Sequence, residues 1–466
     1  MPGLITTSLL ALGGGFAAGR FLASQIAKSA LRIIMTDPYK QNLAEFYTAA
    51  KRTGIQEIIE TNLRAEEGKM ILRPLGSPRK FVNMNSIMFK TAHVSRQPTP
   101  IEIPIETRTV IGRFAAKPLV VETPLLVSGM AYGLALSEQF KYALALGSAK
   151  VGTATNTGEG PFLPKERQLA KKLIIQYPRA SWNKSPDILR QADAIEIQYG
   201  QGASASTGHH AVPTDLGKDV RKRMDIHPGE SGIIYSRQPA VSHPDDLKMI
   251  VDYLRDLTGG VPIGVKFAFS DYLEDDIDIC LEAGVDFLAL EGAEAATIGA
   301  PPILEDDFGL PTLIGLCRAV EHLKQKDPDG RVSLITGGGF TNPGHYLKAI
   351  ALGADAIYLG TMALFAAAHT QVLKAVPLEP PTQVALYRGT AAGRYNYKKG
   401  AESLYKYLTS CTAEMQEGVR ALGKRAISDV NRDDLVALDE HTSSITGLPL
   451  AYGRGRTRAF AAPGSK

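Results

Sequence analysis

The chain has 466 residues, of which 44% are hydrophobic and 21% are charged, and this composition excludes wholesale disorder. Its net charge of +4 is concentrated at the two ends. The first 36 residues carry +3 and the last thirteen carry +4, which leaves about −3 for the body between them. A body with that charge is not a basic nucleic-acid-binding surface, so we expect no nucleic-acid partner.

The N-terminal segment is uncharged from Pro2 to Gly19 and continues after Arg20 as an amphipathic helical pattern with Lys28 and Arg32. A cleaved signal peptide is disfavoured, because the cations follow the apolar stretch instead of preceding it. A single membrane anchor with its basic flank in the cytoplasm and a packed or partner-binding helix both remain open. We therefore assign residues 1–36 to a candidate membrane anchor and residues 37–100 to a helical N-terminal extension.

Eight short β-rich stretches follow, and their nearly continuous apolar content is typical of parallel strands that are buried on both faces. They are residues 124–130, 150–155, 172–177, 194–199, 262–267, 286–292, 332–338 and 356–361.

Amphipathic helical patterns separate these stretches, and several of them end in glycine, a common helix stop. Eight such repeats predict an α/β fold, a (β/α)8 TIM barrel over residues 101–395, whose chemistry lies at the carboxyl ends of the strands. Residues 396–466 are predicted to form a C-terminal helical tail with a basic end. The long excursion over residues 200–242 is predicted to be a functional lid.

Glycine-rich turns follow most of the predicted strands, and the last two are the most informative. Gly337, Gly338 and Gly339 follow the seventh strand, and Gly360 and Thr361 follow the eighth. These two loops form the usual phosphate site of such barrels, where backbone N–H groups and a helix N-terminus hold an anion. Tight turns that serve only the fold are the alternative for any single motif, but the set favours a flat or phosphorylated ligand.

Lys266 stands at the end of the fifth predicted strand among apolar residues. A buried lysine needs an anionic or carbonyl partner, so we take Lys266 as a candidate site residue.

The motifs SGMAYG, NTGEG, IEIQYGQGAS, IGVK, EAATIGAP, TGGG and GT occur in this order. Together they resemble the FMN-binding synthase domain of the glutamate synthase family, over residues from about 101 to 439. In that family, reduced FMN passes electrons to the imine formed from 2-oxoglutarate and ammonia, which gives glutamate.

The resemblance implies a cofactor site and a catalytic group. Its cofactor-binding residues are Ser128, Gly129, Met130, Ala131, Asn156, Thr157, Gln201, Lys266, Gly292, Gly337, Gly338, Gly339, Gly360 and Thr361. Gln201 and Lys266 would face the flavin pyrimidine, and Glu159 the substrate; these three are the implied catalytic residues.

Two features of the family are missing. The resemblance implies a cysteine cluster for a [3Fe–4S] centre after the GT motif, but MALFAAAHTQVLKAVP stands there without a cysteine. Thiolates hold such clusters, so we predict no iron–sulfur cluster and no metal site. We also expect no glutaminase domain and no ammonia made within this chain. Electrons must then reach the flavin from a soluble donor, a partner flavoprotein or a membrane quinone.

The substrate pocket also departs from the family pattern. Ser204 and Gln198 stand where the family has lysines, His209 and His210 are additional, and Glu294 lies in a loop that is glycine-rich in the family. Losing cations weakens the assignment of a dicarboxylate substrate. His209 and His210 are adjacent and diverge, so a metal pair is disfavoured; an acid–base histidine and a solvated loop histidine remain open.

The prediction is therefore an FMN-dependent oxidoreductase acting on an imine/amine pair of the 2-oxo acid/amino acid type, with glutamate formation as its family-typical reaction. A 2-hydroxy-acid oxidase shares the barrel but would need an active-site histidine after the seventh strand, where only His345 is available. A non-catalytic or electron-relay subunit of a membrane-associated complex is the alternative from another class.

The cysteines Cys280, Cys317 and Cys411 are too far apart for a CxxC motif or a disulfide framework. We read them as reduced thiols and expect a cytoplasmic protein, with the N-terminal segment as a candidate anchor to the inner face of the cell membrane. A homo-oligomer is expected.

Overall fold

The computed structural model describes residues 2–38, 44–204, 206–297, 299–378 and 380–452. The chain divides into two compact units, Met1–Ile71 and Leu72–Lys466. The sequence prediction placed the start of the barrel domain at residue 101, whereas residues 72–100 belong to the larger unit. The four basic residues of the C-terminal end lie outside the described residues.

The helices, in chain order, are α1 Pro2–Met35, α2 Ala44–Thr53, α3 Ile55–Glu67, α4 Glu138–Val151, α5 Pro164–Leu169, α6 Pro186–Leu189, α7 Lys218–Met224, α8 Asp245–Thr258, α9 Leu273–Glu282, α10 Pro302–Asp307, α11 Thr312–Lys326, α12 Pro343–Leu352, α13 Thr361–Ala368, α14 Pro380–Ala385, α15 Tyr397–Ala421 and α16 Glu440–Thr446. The strands are β1 Ile87–Phe89, β2 Thr109–Ile111, β3 Leu119–Val121, β4 Leu125–Val127, β5 Ala154–Asn156, β6 Lys172–Tyr177, β7 Ala194–Gln198, β8 His209–Ala211, β9 Gly232–Ile234, β10 Ile263–Ala268, β11 Phe287–Glu291, β12 Ser333–Gly337, β13 Ala356–Leu359 and β14 Leu435–Ala437.

Eight parallel strands form the central sheet in the order β4-β13-β12-β11-β10-β7-β6-β5. Each falls within or overlaps one of the eight predicted stretches, so the predicted barrel fold is confirmed. β4 and β5 are the two ends of this hydrogen-bonded order, and the Thr153 hydroxyl bridges them by donating to the Leu125 carbonyl at 2.8 Å. The strands are buried along both faces, because helices cover the outside and side chains fill the inside.

The strand register sets the position of Lys266. In β10 this residue lies beside Gln198 of β7 and Ala289 of β11. Two residues further along β11, Glu291 ends its strand beside Gly337 of β12. The register therefore brings the ends of β7, β10, β11 and β12 to one edge of the sheet.

The smaller unit contains α1, α2 and α3. In the described part of α1, large apolar side chains such as Phe21, Ile26 and Met35 are more than half exposed. Among the described residues, no helix combines the length and the apolarity that crossing a membrane requires.

The predicted lid over residues 200–242 has secondary structure of its own. β8 and β9 pair antiparallel, with His209 opposite Ile234, and α7 lies between them. An apolar cluster that includes Trp182, Val220 and Met224 packs this segment onto the barrel. It is a folded insertion.

The C-terminal tail is anchored to the barrel. α15 packs along α4, where Gly147 lies so close to Leu404 that a Cβ at residue 147 would come within 2.9 Å of its side chain. β14 pairs antiparallel with β1, which joins the tail to residues 72–100. This pairing explains why residues 72–100 belong to the larger unit.

α4 carries a buried ion pair that supports the loop after β5. Lys141 is fully buried and its ammonium lies 2.9 Å from the Glu166 carboxylate. The same ammonium donates to the carbonyls of Asn156 at 2.8 Å and Thr157 at 3.1 Å. Burial raises the pKa of Glu166, although Lys141 counteracts that rise. The pair therefore fixes the NTGEG loop from behind.

We predict that Lys141→Met lowers the free energy of unfolding by about 3 kcal/mol or more, because it leaves Glu166 buried without its counter-charge. Urea denaturation measures this. Lys150→Met on the same helix is the matched control: Lys150 and Glu402 form an exposed pair, so its loss should cost no more than ~1 kcal/mol. Equal effects of the two substitutions would contradict the prediction.

Candidate active site

One cavity opens at the carboxyl ends of the barrel strands, where the chemistry of such barrels lies. Nine of the predicted site residues line it: Ser128, Gly129, Met130, Ala131, Glu159, Gln201, Lys266, Gly360 and Thr361. Its lining also includes His209, Glu291, Thr297 and the apolar residues Leu75, Leu134 and Leu364. The fold thus brings together motifs that are up to 233 residues apart in the sequence.

Lys266 is the buried cation of this cavity. Its side chain is 1% exposed, and Nζ lies 2.8 Å from Oε1 of Glu291. Burial by itself would lower the pKa of Lys266, but the negative charges of Glu291, Glu196 and Glu159 outweigh it, and the pKa is raised. Lys266 therefore remains an ammonium at neutral pH.

Glu291 shares its carboxylate between two neighbours. Oε1 also accepts a hydrogen bond from the Ser128 hydroxyl at 3.2 Å, and the side chain is 8% exposed. Ser128 comes from the SGMAYG motif after β4 and Glu291 from the end of β11. The Glu291 carboxylate thus links the loop after β4 to the Lys266 ammonium of β10.

Glu196 lies beneath this pair and is completely buried. Its carboxylate accepts hydrogen bonds from Asn156 at 2.9 Å, Gln176 at 2.8 Å and the Tyr358 hydroxyl at 2.7 Å. Burial, followed by the charge of Glu196, raises the pKa of Tyr358, so its hydroxyl stays a donor. The Tyr358 ring lies 5.4 Å from Nζ of Lys266. This network orients the floor of the cavity.

Glu159 forms the opposite side. The Gln198 amide donates to Oε2 at 3.0 Å, and Nε2 of His209 lies 3.9 Å from Oε1. The Trp182 indole donates to the Glu159 carbonyl at 2.7 Å and so fixes the backbone. Gln201, also in the lining, donates from its amide to the Thr297 hydroxyl at 2.7 Å.

A second cavity adjoins the first and shares Ser128, Glu291, Gly360 and Thr361 with it. Gly338 and Gly339 also line it, and both have positive φ values, 111° and 70°, which favour glycine. α13 begins here with Gly360 as its N-cap and no side-chain cap. Its first N–H groups lack intrahelical acceptors, as at any helix start, so this end can hold an anion.

Glu294 reaches the same loops but has a structural partner. Its carboxylate accepts hydrogen bonds from the backbone N–H and the hydroxyl of Thr312, both at 2.8 Å. Thr312 begins α11, so the carboxylate caps that helix. Burial raises the pKa of Glu294. This explains an acid in a loop where the family pattern has glycine.

Four predicted cofactor residues lie in the walls instead of the lining. The Asn156 amide donates to Glu196, and its oxygen accepts a hydrogen bond from the Gly158 N–H. The Thr157 hydroxyl accepts a hydrogen bond from the Gln176 N–H. Gly292 packs against Thr312, which a Cβ there would meet at 2.0 Å. Gly337 ends β12. In this structure these four shape the site, and their contact with a cofactor stays a prediction.

Sequence reasoning missed Glu291, Glu196 and Tyr358 as site residues. The available signal was a charged residue inside an apolar strand, as in AIEIQ and DFLALE, because such a residue must be paired in the interior. Which cation pairs with which acid depends on the order of the strands in the sheet, and a local sequence pattern does not show that order. His209 was left open between two roles, and the structure places it in the cavity lining.

His345 does not reach the cavity lining. Its ring nitrogens lie 2.9 Å from the Asn85 side chain and 3.4 Å from the Thr341 hydroxyl. Burial lowers its pKa. The single histidine available for a 2-hydroxy-acid oxidase site is therefore used in packing α12 against residues 84–86.

The fold and the site together define a class: an α/β barrel with a buried ammonium at its strand ends and a helix N-terminus without a side-chain cap beside it. The conserved region of glutamate synthase matches residues 76–425. A glutamate synthase large subunit-like protein of Rhizobium meliloti is 30% identical over 443 residues, which cover 89% of this chain and 96% of that protein. The chain belongs to the glutamate synthase family.

A second relative is consistent with this family, and a solved structure is consistent with the fold. An archaeal glutamate synthase [NADPH] of Archaeoglobus fulgidus is 28% identical over 413 residues, covering 83% of this chain and 80% of that protein. A crystal structure described as a lactate oxidase of Pediococcus acidilactici has a TM-score of 0.50 at 15% identity, covering 76% of this chain and 84% of that one. At that identity the structural likeness shows the barrel fold.

Proposed function

We propose that the protein is an FMN-dependent oxidoreductase that acts on an imine/amine pair of the 2-oxo acid/amino acid type. The observation that carries this is the uncapped N-terminus of α13 next to the buried ammonium of Lys266. A terminal phosphate and a ring that gains negative charge on reduction need these two groups. The cavities that contain them are contiguous.

The residues fit FMN on a second count. A Cβ added at Gly360 would meet nothing within 4 Å, so the backbone there borders open space. Gly338 and Gly339 present further backbone on the same side. When bound, FMN would supply the two-electron chemistry that side chains lack. Gly339, Gly360 and Thr361 would hold its phosphate, while Lys266 and Gln201 would lie on its pyrimidine side.

The chain's own residues then have distinct tasks. Lys266 supplies positive charge at the cavity floor, and Glu291 moderates it. Glu159 faces the substrate side, where Gln198 and Trp182 orient it. Preorganised charge in a site that excludes water is the main way in which a protein stabilises such reactions. Formation of glutamate from 2-oxoglutarate and ammonia is the reaction of the family to test first.

The electron donor lies outside this chain. The A. fulgidus relative is described as an NADPH enzyme, so we propose NADPH, directly or through a partner flavoprotein, as the first donor to test and a quinone as the second. A homo-oligomer and contact of the N-terminal segment with a membrane surface stay predictions. The second candidate function is an electron-relay subunit, which is favoured because this sequence lacks the family's cysteines near His369 and its lysine at position 198.

The purified protein should contain FMN and no FAD, identified by chromatography of the acid-released flavin. Gly360→Ala should weaken FMN binding by about tenfold or more, because the added methyl group enters space that the phosphate needs. Gly393→Ala is the matched control, since a Cβ there also meets nothing within 4 Å but lies outside both cavities. Recovery of FAD, or equal affinity in the two variants, would refute the assignment.

Lys266→Met and Glu291→Gln should shift the reduction potential of the flavin in opposite directions. Losing the ammonium removes ~1–3 kcal/mol of stabilisation from the reduced form, and at about 30 mV per 1.4 kcal/mol for two electrons the potential falls by tens of millivolts. Glu291→Gln frees the cation, so the potential should rise. Lys184→Met, outside the cavity, is the control. Shifts of the same sign would show that Lys266 acts only through the fold.

The purified protein should also lack an iron–sulfur cluster, because no cysteine stands near His369 to supply thiolates. Iron and acid-labile sulfide are measured after anaerobic purification. We expect neither at stoichiometric levels. Stoichiometric amounts of both would overturn this prediction and make an internal electron path available.

A further inference from the structure

The cavity lining carries more negative than positive charge. Among the described residues that line it, Lys266 stands against two glutamates, Glu159 and Glu291. Lys266 lies 2.8 Å from Glu291, so that cation is already used. Glu159 is left as the second carboxylate, with a side chain that is only 12% exposed.

No lysine or arginine forms an ion pair with Glu159 in the part of the chain that the structure describes. The hydrogen bond that it receives at 3.0 Å comes from the neutral amide of Gln198. His209 brings a nitrogen to 3.9 Å, which is too long for a hydrogen bond. A carboxylate that is mostly removed from water needs such compensation.

Arg179 does not supply it. This guanidinium is buried, and it donates to the backbone carbonyls of Ser206, Thr207 and Ser236. It holds the lid segment to the barrel through these bonds. Burial lowers its pKa, and the charge of Glu159 partly offsets that effect. Arg179 therefore senses Glu159 but forms no ion pair with it.

Part of the remaining lining is apolar. Leu75, Met130, Leu134 and Leu364 form this part together with Pro74 and Ala135. A ligand that suits this cavity has one positive group for Glu159 and an apolar body for the wall. A dicarboxylate would instead add negative charge beside an uncompensated carboxylate, with no free lysine or arginine in the described lining to receive it.

We infer that Glu159, flanked by His209, is an ammonium-binding subsite, and that the substrate is a primary amine lacking the second carboxylate of glutamate. The charged ammonium binds Glu159 by a charge-assisted hydrogen bond. His209 borders the subsite from β8, so the lid segment helps to select the ligand. This inference rests on the proposed function and names its substrate class.

Isothermal titration calorimetry on the flavin-loaded protein tests the subsite with three probes: n-butylamine, n-butanol and 2-oxoglutarate. The two butyl compounds have the same chain and differ in the charged group. We expect the amine to bind at least about tenfold more tightly than the alcohol, which corresponds to ~1.4 kcal/mol. We also expect 2-oxoglutarate to bind more weakly than the amine.

Two substitutions locate the effect. Glu159→Gln keeps the shape and the Gln198 contact but removes the charge, so the preference for amine over alcohol should be lost. Gln198→Lys keeps Glu159 and replaces the neutral amide that now contacts it with a cation, so it should reduce the preference as well. His210→Asn is the matched control, because His210 is adjacent to His209 but is not in the cavity lining, and its preference should equal that of the wild type.

The outcomes separate this inference from the proposed function. An amine that binds no better than the alcohol, a preference that survives Glu159→Gln, or tighter binding of 2-oxoglutarate would overturn the ammonium subsite. FMN content and reduction potential are read on the same samples. If the protein contains FMN but does not prefer the amine, the ammonium subsite is refuted and the proposed function stands. If the protein binds no flavin, the proposed function is refuted, and the subsite is then tested by the same calorimetry on the flavin-free protein.

Discussion

The ammonium of Lys266 is the group on which the rest of the site depends. A buried positive charge is tolerated only with negative partners close by, and Glu291 supplies one at 2.8 Å. Glu196 adds a second negative charge from the neighbouring strand, which is itself held by Asn156, Gln176 and Tyr358. Six strands thereby contribute side chains to one electrostatic network. Changing any one of these side chains alters the others.

The pairing of Lys266 with Glu291 also determines how charge is distributed in the cavity. Because Glu291 neutralises much of Lys266, the negative character of the substrate side is set by Glu159. At the start of α13, anion binding would rely on backbone N–H groups, because the two acids of that cavity, Glu291 and Glu294, are already paired with Lys266 and Thr312. The cavity therefore has a negative side at Glu159 and, beyond the buried pair, a helix start that can hold an anion. A ligand with a phosphate at one end and an amine beside it would meet both.

The glutamate synthase family supplies the scaffold, and this chain departs from the family pattern in the places that decide chemistry. Gln198 is neutral where the pattern has a lysine, and the stretch around His369 has no cysteine. Packing explains one apparent departure, since Glu294 caps α11 through Thr312. The others replace a lysine and the cysteines of the family pattern, so membership of the family does not by itself fix the substrate.

The sequence by itself determined the eight strands, their approximate limits and the family, because apolar strands and glycine turns are local patterns. It also identified Lys266, Glu159, Gly360 and Thr361 as candidate site residues. It could not give the pairing of Lys266 with Glu291, since these residues are adjacent only through the parallel alignment of β10 and β11. For the same reason only the tertiary structure decided that Asn156 supports a wall, that His345 is used in packing and that His209 lines the cavity.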